Sequence, residues 1–161
     1  MVYSLKEIFR GENIMVKTIF YGTYENIENV SLETAKGFFL NEKVGYEDIW
    51  TTGYGSIEYY INDKLRYILK ICLATDYDEF VLCYTDMEEQ KSGWFPLGNP
   101  KTLDEWQEAG EGLFMREGTF VEPFKAWLIV EDFLKTGQRT DKVEWIAGID
   151  LPEAKTENPG A

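Results

Sequence analysis

Residues 56–85 carry the pattern that most restricts the fold. Leu65, Tyr67, Leu69, Ile71 and Leu73 alternate with Arg66, Ile68, Lys70, Cys72 and Ala74. Successive side chains of an extended chain point to opposite sides, so a period of two describes a strand resting one face on a core. Just before it, Ser56 to Ile61 places Ile57, Tyr59 and Ile61 on one side, and Asn62-Asp63-Lys64 supplies a hairpin turn. Just after it, Asp76-Tyr77-Asp78 is a second polar turn ahead of a strand from Phe80 to Thr85. Connections this short join antiparallel neighbours, so three consecutive strands form a meander at the heart of a sheet.

Weaker patterns flank the meander. Met15 to Tyr21 is rich in β-formers and reads as another strand. Asn29 or Ser31 can cap a helix running to about Glu42, with Leu32, Ala35, Phe38 and Phe39 as its apolar side. A loop through Gly45 and Gly53 leads from that helix to the meander. Beyond Asp86, Trp94-Phe95-Pro96-Leu97 reads as an edge strand broken by proline. Thr102 can cap a short helix with Glu105 as its capping-box partner, and 113–115 and 119–121 read as strand pieces. Residues 1–14 form an extension of uncertain structure, and either Met1 or Met15 can be the start. The stretch 151–161 has too little apolar content to fold and is expected to be disordered. The expectation is therefore an α+β fold, a single domain over 15–150. Its antiparallel sheet has about five or six strands, with helices 31–42 and 123–136 packed on one face.

Composition removes several function classes. The chain has no histidine, the commonest general base and metal ligand. Its net charge is −13, from 29 acidic and 16 basic residues, and no basic stripe interrupts the acidity. Direct binding to nucleic acid or an anionic membrane is therefore not expected, whereas a basic protein would be steered towards the surface. The same acidity also serves plain solubility. Cys72 and Cys83 lack metal or redox spacing and read as free thiols. No continuous apolar run marks a signal or membrane segment, so the expected location is cytoplasmic. Ten tyrosines and five tryptophans suit either a sheet-rich core or a binding surface.

No phosphate loop, zinc spacing or nucleophile–base pair occurs, so a non-enzymatic role without cofactor or metal is expected. Gly53-Tyr54-Gly55-Ser56 is a turn before a strand and lacks the helix that a phosphate site needs. The acids form three groups: Asp76, Asp78 and Glu79; Asp86, Glu88 and Glu89; and Asp104, Glu105, Glu108 and Glu111 around Trp106. The first two lie at opposite ends of one strand, roughly 20 Å apart at ~3.3 Å per residue, too far for a glycosidase pair. Asp76-x-Asp78-Glu79 lacks the ligand order of a defined calcium loop. Solvated turns explain these groups, and so does an acidic rim facing a partner, with Trp106 as its anchor.

The segment 122–145 is the most distinctive. Pro123 suits a first helical position; Ala126, Trp127, Val130, Phe133 and Leu134 form one apolar face; Lys135 suits the helix end and Gly137 stops it. Val143 and Trp145 then share one side of an extended segment. Phe133-Leu134-Lys135-Thr136-Gly137 and Val143-Glu144-Trp145 resemble the closing motif of immunity protein family one, from bacterial polymorphic toxin systems. The family usually has proline after the turn's basic residue; here Thr140 follows Arg139. The resemblance implies a small α+β domain that neutralises a cognate toxin, often a nucleic-acid deaminase or nuclease. It implies scaffold roles for Phe133, Leu134, Thr136, Gly137, Val143 and Trp145, and no catalytic residues. A basic toxin domain is then the expected partner. The alternatives are an acidic adaptor for another basic protein, or a small-ligand-binding domain. Nothing in the residues indicates an oligomeric state.

Overall fold

The computed structural model describes residues 11–22, 25–40, 49–74, 78–89 and 93–161. The alternating stretch becomes β3 (Tyr54–Ile61), β4 (Lys64–Ala74) and β5 (Glu79–Asp86), paired antiparallel as the meander requires. Asn62 and Asp63 both take positive φ, 51° and 64°, giving the two-residue turn whose twist matches the flanking strands. β1 (Ile14–Phe20) pairs with the free edge of β3, and β2 (Glu25–Glu28) pairs with β1. On the other side, β5 is followed by β6 (Trp94–Pro96) and then by β9 (Trp145–Ala147). The order is β2-β1-β3-β4-β5-β6-β9, so among the described residues the sheet has seven strands rather than five or six. β2 contains Ile27 as its one apolar residue, too little to show a period. The segment expected to be an edge strand, β6, is second from the edge because β9 pairs outside it.

Among the described residues, two helices cover one face. In α1 (Leu32–Leu40) Ser31, rather than Asn29, is the cap; its hydroxyl accepts the Thr34 N–H at 3.1 Å. The expected end of α1 near Glu42 lies outside the described residues. In α2 (Pro123–Thr136) the Glu122 carboxylate accepts the N–H groups of Phe124 and Lys125. Val16, Phe20, Ile57, Tyr59, Leu69 and Leu82 point from the sheet into the same core as Phe38 and Phe39 of α1 and Trp127 and Phe133 of α2. Among the described residues, no helix is long and apolar enough to cross a membrane.

Three local expectations differ from the structure. No helix opens at Thr102: Asn99 caps a single 3-10 turn, Pro100–Thr102, by accepting the Lys101 N–H. Trp106 instead starts β7 (Trp106–Gly110), which forms a separate hairpin with β8 (Leu113–Arg116). Nor does 119–121 make a strand; Thr119 ends a 3-10 turn, and Val121 forms one isolated bridge with Phe80. The stretch 151–161, expected to be disordered, is laid along this hairpin. Among its contacts are hydrogen bonds to backbone carbonyls, which composition does not reveal: Lys155 N–H to Asp104 O (2.8 Å), Trp106 Nε1–H to Thr156 O (2.9 Å), and Arg116 to Pro152 O (2.6 Å).

The segment after α2 closes the fold. Gly137 takes φ 69° and its N–H returns to Phe133 O. The Trp145 indole donates to Thr140 O at 2.8 Å, while the Thr140 hydroxyl donates to Asp132. Arg139 stacks on Trp94 with 3.8 Å between guanidinium and ring centroid. Val143 packs against the core just ahead of β9, while Leu134 packs on it from α2. Because left-handed backbone costs a residue with Cβ about 1–2 kcal/mol, Gly137→Ala is expected to lose that much stability in urea unfolding, with an unchanged m-value.

Candidate functional site

The sheet's second face is covered unevenly. On β4 and β5 this side carries Lys70, Cys72, Ala74, Val81 and Cys83. The β7–β8 hairpin packs over one end, where Cys72, Ala74 and Val81 meet Ala109 and Phe120, with Tyr54, Phe95 and Met115 against them. The Tyr54 hydroxyl donates to Gly110 O at 3.1 Å and pins the hairpin to β3. Beyond the hairpin the same face continues as Lys17, Glu58, Tyr60 and Ile68, with no element among the described residues packed across them.

Where cover ends there is an apolar groove of about 550 Å³. Its floor is Gly55, Ile71, Val81 and Cys83, and Met115 and Phe95 form a wall. Tyr21 and Leu113, 48% and 40% exposed, also line it. The hydroxyls of Tyr21 and Ser56 share a hydrogen bond at 3.3 Å. Burial pushes the Cys72 thiol up to about 11. Burial also raises Cys83, against the opposing pull of a hydrogen bond to Thr85 and the Lys70 ammonium. The Tyr54 hydroxyl is raised by burial and then by Cys72, Glu111 and Glu108. At neutral pH the thiols and phenol are therefore uncharged, and Lys70 is the one cation among the described lining residues.

Most of the acids singled out in the sequence are engaged within the molecule. Arg66 pairs with Asp86 and, at 3.2 Å, with Glu88. Glu89 accepts the Trp94 indole N–H at 3.3 Å. Lys155 lies 3.0 Å from Glu105 and 4.0 Å from Asp104. Trp106, expected to be an anchor, is partly exposed, stacked by Arg116 at 4.6 Å, and its indole N–H donates to Thr156 O. Asp78 is exposed with φ 51°, and Asp76 lies outside the described residues.

Glu79 and Glu105, from two different sequence groups, do come together with a third acid, Glu117. Burial raises the Glu117 carboxyl, and Glu105, its hydrogen-bond partner, and then Glu79 raise it further. Glu79 and Glu117 line a polar crevice of about 410 Å³ with Gln107, Glu122 and Lys125. Among the described residues, no three carboxylate or thiol side chains are grouped so as to hold a metal ion.

Tyr21, Leu113, Met115 and Glu117 were not singled out as site residues in the sequence. One signal did point to the groove: Ile71-Cys72-Leu73-Ala74 is apolar on both sides of the strand, and a strand buried on both faces needs a second covering element. Compared with models of known families, with curated proteins and with solved structures, the chain has no match.

Two pH effects follow. A thiol ordinarily near 9.0 and held at about 11 in the fold stabilises it below pH 9, and that stability is lost as pH rises through the folded value. A two-unit shift corresponds to about 3 kcal/mol, so urea midpoints should fall between pH 9 and 11, and less steeply in Cys72→Ala. Glu117→Gln keeps a donor for Glu105 but removes the repulsion. It is expected to raise Tm at pH 7, by less than about 1 kcal/mol equivalent, with the gain shrinking as pH falls and Glu117 protonates.

Proposed function

We propose that the protein is a non-enzymatic binding protein that covers and neutralises a basic partner, in the manner of an immunity protein blocking a bacterial toxin that acts on nucleic acid. The observation that carries this reading is the second face, where, among the described residues, partly exposed sheet without a covering element runs into an apolar groove. Such a surface offers a partner an apolar centre, and the molecule around it is strongly acidic. A toxin working on nucleic acid presents a basic cleft, and opposite charge speeds encounter while buried apolar contacts slow release. The likeness of 122–145 to the closing motif of immunity protein family one supports the same role. The scaffold roles that the likeness implies fit the packing of Phe133, buried in the core, of Gly137, which ends the helix, and of Trp145, held by Thr140.

One observation favours a second reading. The crevice holding Glu79 and Glu117 is concave, and its acids converge with a raised carboxyl, as a small-ligand site would require. The two readings separate in one experiment, affinity purification of the tagged protein from its source cells at moderate salt. A stoichiometric basic partner ending in a small toxin domain is the outcome expected. Association should then slow with rising salt, and Glu108→Lys with Glu111→Lys should slow it further. Recovery of the protein alone while its genomic neighbours are expressed would shift the weight to the crevice.

A further inference from the structure

We propose that the groove beside the β7–β8 hairpin is an anchor pocket for one apolar side chain of a basic protein partner, flanked in that partner by lysine or arginine. This rests on the binding role proposed above and specifies what the partner must present.

The walls are apolar, and the volume of about 550 Å³ suits an inserted side chain more than a flat contact. Tyr21 and Leu113 stand at the rim, 48% and 40% exposed, and would lose that exposure to an inserted group. The charge beside the pocket comes from the hairpin turn. Glu108 accepts the Gly112 N–H at 2.8 Å, and Glu111 is held at φ 43°. Both carboxylates act on Tyr54 in the groove wall, and among the described residues no cation pairs with either. Two unpaired acids next to an apolar pocket complement a side chain with cationic neighbours. Lys70 opposes this with a single charge, and an anionic amphiphile would use it instead.

The test titrates the ¹⁵N-labelled full chain with three blocked pentapeptides: phenylalanine between lysine pairs, alanine between lysine pairs, and phenylalanine between glutamate pairs. The first is expected to shift the amide signals of Gly55, Cys83 and Leu113 and to slow iodoacetamide alkylation of Cys83. The alanine peptide should bind about tenfold more weakly, the difference one buried apolar side chain makes. Leu113→Asp and Glu111→Lys alter exposed positions, keep the fold, and should each weaken the first peptide about fivefold or more. Shifts that map elsewhere, equal binding of the alanine peptide, or preference for the glutamate-flanked peptide would overturn the proposal, the last by assigning the groove to an anion at Lys70. A co-purified toxin bound equally well by Leu113→Asp would overturn the pocket while leaving the neutralising role. The peptide pattern without any toxin partner would do the reverse.

Discussion

Trp50 holds the molecule together. Its ring meets Phe20 of β1, Phe39 of α1 and Phe80 of β5 edge-on at 5.0–5.7 Å, and its indole donates to Phe38 O at 2.8 Å. One residue thus joins two strands and a helix through contacts that favour perpendicular rings. Gly55 lets the ring come this close, since a Cβ there would stand 3.1 Å from it. Phe39 carries the network on to Trp127 of α2. A second chain of rings, Tyr59, Tyr67, Tyr84, Phe133 and Trp145, ties the other end of α2 to the sheet and to its last strand. Among the described residues, the aromatic side chains of these two networks are therefore spent on the core. All five tryptophans have structural partners, so tryptophan count alone was a poor guide to an interface.

With one face of the sheet sealed by this seam, the other face decides what the protein offers. Among the described residues, the hairpin covers only the end where β4 and β5 are apolar on both sides, and it leaves a step where that cover ends. That step is the groove. The acids near it matter because the rest of the charge is partly consumed: Arg66 and Lys155 each hold two carboxylates. A net charge of −13 describes the whole surface, but only acids without an internal cation are available to a partner.

Elements whose signal is local were legible. The period of β4, the Asn62-Asp63 turn, the Pro123 start and the Gly137 stop each depend on a few adjacent residues. The strands at the sheet edges were not, because β2 has one apolar residue and β9 has three residues in all. Thr102 and Glu105 showed a helix-start pattern, yet Asn99 took the cap and the chain turned into a strand. Of the candidate partner residues, Asp86, Glu88, Asp104 and Glu105 were read as a rim because their cations are distant in sequence. Lys155 lies 50 residues from Glu105.

The sequence by itself determined the class of fold, since backbone periodicity, turn conformations and helix caps are short-range and survive in any tertiary setting. It also determined that the molecule is acidic and without histidine. Only the tertiary structure decided which acids among the described residues gain a cation, that Trp106 meets Arg116 and Thr156, and that a groove opens beside the hairpin. Those outcomes depend on pairings such as Tyr54 with Gly110, 56 residues apart. Burial and ion pairing are properties of such long-range meetings, and no window along the chain contains both partners.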